Sequence, residues 1–168
     1  MTRMNTIILI KLIAAHLTGD FLLQSDRMCV DKFSNNSKAK YKALVLHALV
    51  QAALAYVFVA RWNYWIIPVV IGVSHFAIDL VKTMCNRKGF ISLIWDQLAH
   101  LCIIIGLWWL EFARLSQLDM ADEIFSTNFW LIATAYIAVL APTSILIICL
   151  YINPSLIGDV GILGNTNK

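Results

Sequence analysis

With 168 residues, 60% of them hydrophobic, only 14% charged and a mean hydropathy of +0.75, the chain lies far from soluble averages; the bilayer is its expected solvent. The length allows one domain, and the net charge of +3 matters mainly through its placement. Four cysteines, Cys29, Cys85, Cys102 and Cys149, are scattered without a C-x-x-C, which points to neither a disulfide framework nor a thiolate zinc site.

Five stretches approach the roughly 20 apolar residues that a spanning helix requires: about 6–23, 43–60, 64–81, 90–110 and 129–151. The first carries Lys11, His16 and Asp20 inside its apolar run, which a cleavable signal peptide rarely does, so it is read as a span. An amphipathic loop over 25–42 follows, with Arg27, Lys32, Lys38, Lys40 and Lys42; a lid role for it stays open. The second segment holds His47 and Gln51 and ends before Arg61, Trp62, Tyr64 and Trp65. The third holds His75 and Asp79, with Lys82 at its boundary and Arg87 and Lys88 in the turn beyond. In the fourth, Asp96 and His100 precede a closing Trp108-Trp109, and the connector 111–127 has Arg114 outnumbered by Glu111, Asp119, Asp122 and Glu123. A fifth span over 128–152 and a tail over 153–168 complete the chain.

Basic residues gather in the loops after segments one and three, so the positive-inside rule makes that face cytoplasmic, the N-terminus outside and the tail inside. The tryptophans at the other ends form an outer aromatic belt. The expected fold is an all-α integral membrane protein: an antiparallel four-helix transmembrane bundle over 1–110, an extracytoplasmic connector and a fifth transmembrane helix. The expected location is a bacterial inner membrane. The basic loop has no reading helix, and no P-loop or dinucleotide motif occurs, so no nucleic-acid partner is expected.

Each of the four histidines has a polar partner four residues away: His16 with Asp20, His47 with Gln51, His75 with Asp79, and His100 with Asp96. That spacing puts each pair on one helix face. With helices alternating in direction, all four pairs fall at one depth, in the cytoplasmic half. A lone membrane histidine more often makes an interhelical hydrogen bond than binds a metal, and His47 with Gln51 fits that reading alone. Four pairs at one depth fit a functional site better. An intramembrane aspartate costs about 2.5–3.5 kcal/mol even on lenient scales, so Asp20, Asp79 and Asp96 require compensation. One divalent cation with Lys82 would supply it; two would leave positive charge for hydroxide or phosphate. Imidazole and carboxylate donors suit zinc, manganese, iron or cobalt, with zinc or manganese first.

The runs His16-Leu17-Thr18-Gly19-Asp20-Phe21-Leu22-Leu23-Gln24, Leu46-His47, Ser74-His75-Phe76-Ala77-Ile78-Asp79-Leu80-Val81-Lys82 and Asp96-Gln97-Leu98-Ala99-His100 resemble a bacterial family of small membrane proteins of unknown function, over about residues 8–110. The S-H-x-x-x-D pattern on an apolar helix is more weakly similar to inner-membrane metal-dependent hydrolases under LexA control, themselves similar to helical zinc phospholipases and nucleases. That second resemblance implies that His75 and Asp79 are metal ligands and that His16, Asp20, Asp96 and His100 complete one or two sites. His47 joins them by depth. The chain lacks the full zinc-phospholipase ligand pattern, which leaves the metal count open.

The expected function is hydrolysis of a phosphoester of a lipid or amphiphile near the cytoplasmic face. Asp96 or His100 would be the general base, and Lys82 or Arg87 would contact phosphate. The partners expected are membrane lipids and the phosphorylated amphiphile, with self-association open. The competing readings are a transporter or ion-coupled channel, in which the His/Asp stripes form a relay, and a non-catalytic membrane scaffold.

Overall fold

The computed structural model describes residues 3–85, 90–111 and 126–147, and all regular structure among them is helical. Helix α1 (Arg3–Leu17) continues as a π-helical turn (Thr18–Leu22); α2 (Asp26–Lys32), α3 (Ser37–Val59), α4 (Ile66–Met84), α5 (Phe90–Glu111) and α6 (Thr127–Ile147) follow. Arg87 and Lys88, most of the connector, and residues 148–168 with the tail lie outside the described residues.

Local chemistry sets the boundaries. Asn36 Oδ1 accepts from the Lys38 and Ala39 amides at 3.0 and 3.4 Å, so α3 starts at Ser37, inside what the sequence reads as loop. That helix ends where Ala60 takes the left-handed conformation (φ 53°) and its N–H donates to Tyr56 O. Pro68 is in the first turn of α4, where its missing N–H has no partner to lose. Ser25 Oγ accepts from the Met28 amide and starts α2 within the same basic loop.

The four longer helices of residues 3–111 each bury a row of every fourth residue. In α1 and its extension the row is Ile8, Leu12, His16 and Asp20; in α3 it is Ala43, His47, Gln51, Ala55 and Val59. In α4 it is Ile67, Ile71, His75, Asp79 and Thr83; in α5, Asp96, His100, Ile104 and Trp108. Such rows are packing ridges, and each is polar at one end and apolar at the other. Successive helices run in opposite directions, so the polar ends meet. The apolar ends form one core with Ile7, Ile8, Leu12, Ala55, Val59, Ile67, Ile71, Ile104, Leu107 and Trp108.

α3, α4 and the Ile91–Glu111 part of α5 are long and apolar enough to cross a membrane. The stretch Thr6–Leu22 qualifies together with α2, from which it turns by 88°. In α6 the described apolar stretch is Thr127–Val139. That helix packs on α1 and α3: the Trp130 ring is 5.2 Å from the Phe58 ring, and the buried Lys11 amine is 5.3 Å from its centroid. A cation–π contact away from water can be worth about 2 kcal/mol, and it gives Lys11, which lies off the His16 row, one partner for its buried charge.

Candidate metal centre

Asp20 reaches the middle of the polar half because the chain widens there. Thr18 Oγ1 donates to Ala14 O at 2.7 Å, and the Leu23 amide bonds Thr18 O five residues back. Gly19 faces Gln51 so closely that a Cβ on it would overlap the Gln51 carboxamide. Gln51 Nε2 therefore lies over the turn, donating to Asp20 Oδ1 at 2.5 Å and His16 O at 3.2 Å. Gln97 Nε2, from α5, donates to Asp20 Oδ2 at 2.7 Å, while its Oε1 is 3.1 Å from His16 Nε2.

Two imidazole nitrogens, from α3 and α4, converge on this carboxylate. His47 Nε2 is 3.1 Å from Asp20 Oδ1, His75 Nε2 is 3.3 Å from the same oxygen, and the two nitrogens are 2.9 Å apart. A neutral imidazole nitrogen carries at most one hydrogen, so His47 Nε2 cannot donate to both neighbours at once. A cation between the three atoms would take one lone pair from each. Ligands on a tetrahedral ion with bonds of about 2.0–2.1 Å stand about 3.3–3.4 Å apart, close to the separations found. A triangle of these edges has a circumradius of about 1.8 Å, so an ion with such bonds fits about 1 Å out of its plane. Asp79 Oδ2, 3.8 Å from His47 Nε2, is the next donor.

A second donor group adjoins the first. Asp96 and His100, on α5, have Oδ1 and Nε2 3.8 Å apart, and the His100 ring stacks on His75 at 3.8 Å and 14°. His16 is flanked by both rings, at 5.6 Å from His75 and 5.1 Å from His100. The i,i+4 spacing thus brings all seven residues together, although the shortest contacts run between helices rather than within the pairs.

Two lysines reach the cluster. Lys82 Nζ donates to Asp96 Oδ2 at 2.7 Å, and Lys32 Nζ, from α2, donates to Asp79 Oδ2 at 2.5 Å. Three carboxylates against two ammonium groups leave one negative charge, with four imidazoles beside it. A cavity of about 180 Å³ borders this end, lined by Asp20, Lys32, Asp79, Lys82, Asp96 and Gln97 among others. At about 30 Å³ per water it has room for a hydrated phosphoryl group.

Lys32 and Gln97 are the members that sequence reading misses. Lys32 is one of several basic residues in one loop, and nothing in its spacing marks it as buried. Gln97 carries a weak signal, being a polar residue inside an apolar helix.

Over residues 8–131 the chain matches DUF3307, a family of proteins of unknown function, and it belongs to that family. The match covers the whole cluster and continues past residue 110 into the start of α6, further than the motifs indicate. No curated protein and no solved structure matches the chain.

Proposed function

We propose that this DUF3307 member is a multi-pass protein of the bacterial inner membrane that holds a divalent cation, zinc or manganese, and hydrolyses a phosphoester of a lipid or other amphiphile at the cytoplasmic face. In this reading α1, α3, α4 and α5 all cross the bilayer as an antiparallel bundle, and α6 is a fifth span. The observation that carries it is the triangle of His47 Nε2, His75 Nε2 and Asp20 Oδ1, with edges of 2.9–3.3 Å, beside a cavity bordered by two lysines.

A bound divalent ion acidifies its water and polarises a phosphoryl oxygen. The chain supplies the rest. Gln51 and Gln97 fix the Asp20 carboxylate from both sides, as outer partners of a metal ligand do. Lys32 and Lys82 border the space that phosphate oxygens would enter. Were one ion bound, Asp96 Oδ1 or His100 Nε2 would take the water proton as the water oxygen bonds to phosphorus and the ester P–O bond breaks; the leaving oxygen would take up a proton, giving an alcohol and either phosphate from a monoester or a phosphomonoester from a diester.

A transporter needs a path through the molecule. The apolar core closes the other half of the helices, with Ile7, Ile8, Val59, Ile67, Leu107 and Trp108 each at most 6% exposed. That favours a one-sided site.

Protein purified in detergent and dialysed is expected to retain at least one equivalent of zinc or manganese, and His47→Gln to weaken its binding at least tenfold. Hydrolysis of vesicle lipid, read as phosphate released from a phosphomonoester lipid or as phosphomonoester formed from a phosphodiester lipid, should require the metal and stop with chelator. Metal that survives His47→Gln, Asp20→Asn and Asp79→Asn unchanged would refute the site. Tight metal without hydrolysis of either ester would refute the reaction. Ion flux into liposomes, abolished by Asp20→Asn, would replace hydrolysis by transport.

A further inference from the structure

We infer that Asp20 bridges two divalent cations, the second held by Asp20 Oδ2, Asp96 Oδ1 and His100 Nε2, and that the site is matched to a phosphomonoester dianion. This rests on the metal reading above and goes beyond it in ion number, ligand set and substrate charge.

The two oxygens of Asp20 face different donors. Oδ1 looks to His47 and His75, whereas Oδ2 lies 2.7 Å from Gln97 Nε2 and 3.8 Å from His16 Nε2. One donor atom each from Asp20, Asp96 and His100 lie within 4.8 Å of one another. Independently, Asp96 Oδ1 and His100 Nε2 are buried and make no hydrogen bond among the described residues, with side chains only 6% and 3% exposed. A buried polar atom left without a partner is costly.

Neither orphan can turn away cheaply. Lys82 pins the other oxygen of Asp96, and the stack on His75 fixes the His100 ring. The 3.8 Å between Asp96 Oδ1 and His100 Nε2 is wider than any edge of the first triangle, yet less than twice a bond of about 2.1 Å, so one ion can still reach both atoms. A carboxylate with one oxygen on each ion matches two-metal sites, whose ions lie about 3.5–4 Å apart. With Asp96 and His100 engaged as ligands, neither would serve as base; the second ion would instead lower the pKa of its water, whose proton would pass to solvent in the adjoining cavity.

Charge identifies the substrate class. Two divalent ions and two lysines against three aspartates leave three positive charges. One hydroxide and one phosphomonoester dianion neutralise them; a phosphodiester monoanion leaves one uncompensated.

Metal-free protein loaded with manganese tests this by stoichiometry and electron paramagnetic resonance, without reference to activity. The wild type is expected to bind two equivalents and give an exchange-coupled spectrum. His100→Gln and Asp96→Asn should each fall to one equivalent with an uncoupled six-line signal. His47→Gln should lose the coupling as well. One equivalent in the wild type, unchanged by His100→Gln, would overturn the second site and leave the first standing; no bound manganese would overturn both. Two equivalents without coupling would overturn the bridge. Should the variants fail to fold by circular dichroism, the wild-type count and coupling still decide. A phosphodiester vesicle hydrolysed faster than a phosphomonoester one would overturn the charge match.

Discussion

Lys32 behaves unlike the other basic residues of its loop. Its amine is 2.5 Å from Asp79 Oδ2, with both side chains 6% exposed, whereas the Arg27 side chain on the same short helix is 92% exposed. Removing one partner of a buried pair leaves the other charge uncompensated, at about 3–5 kcal/mol. We therefore expect Lys32→Met to lower the unfolding midpoint of the metal-free protein by that equivalent, measured by thermal or denaturant unfolding in detergent. The double variant Lys32→Met/Asp79→Asn should lose clearly less than the sum of the two single changes. Additive losses would show that the pair is not coupled. The contrast with His16, His47, His75 and His100 is one of information. Those residues are rare, lie in apolar runs and repeat one spacing, so their convergence is legible in the sequence. Lys32 becomes a site residue only because the chain turns by 88° after the π-helical extension and brings α2 back over the cluster. Gln97 follows Asp96 directly and so faces about 100° away from it on the helix. It reaches His16 and Asp20 because α5 also packs against α1.

At the scale of helices, each i,i+4 polar pair proves to be one end of a longer buried row whose other end is aliphatic, and the row as a whole is the packing surface. The sequence carries this row in plain form in α4, as Ile67, Ile71, His75, Asp79 and Thr83. It does not carry the π-helical turn at Thr18–Leu22, because that depends on the Thr18 hydroxyl taking Ala14 O and on Gln51 of α3 lying against Gly19. Between α3 and α4 the closeness of the rows rests on small residues: a Cβ on Gly72 would stand 3.2 Å from Ala52 Cβ and 3.5 Å from Ala48 O. Gly72→Val overfills that contact, at about 1–3 kcal/mol, and separates the helices that bring His47 to His75. We expect at least tenfold weaker metal binding with unchanged helix content by circular dichroism. Gly106→Val is the matched control, since nothing lies within 4 Å of a Cβ there; it should bind metal as the wild type does. Equal effects at both positions would show that helix spacing does not set the site.

Over the whole molecule, the division into a polar half and an apolar half gives the chain a direction. The end of α4 with Lys82, and α2 with Arg27 and Lys32, lie on the polar side, together with the first two turns of α3, where Lys38, Lys40 and Lys42 follow the Asn36 cap. In the proposed topology, the same placement of charge that orients the chain through the positive-inside rule would put the cluster and its cavity next to one aqueous face. Three exposed cysteines report on this directly. Cys29 is on α2 and Cys85 directly follows α4, both at the basic face, while Cys102 is in the middle of α5 on an outward surface with Ile103 and Ile105. Single-cysteine proteins, with Cys149 and the other two replaced by alanine, are to be labelled with a membrane-impermeant maleimide in intact spheroplasts and in inverted vesicles. Cys29 and Cys85 should react only in the inverted vesicles, and Cys102 only after detergent. Reaction of Cys29 and Cys85 from outside would reverse the protein in the membrane. It would leave the ligand geometry untouched but move the substrate to the opposite leaflet. Reaction of the two from opposite sides would be more serious: α3 and α4 would then not form a hairpin across the bilayer, and the four polar row ends could not share one depth.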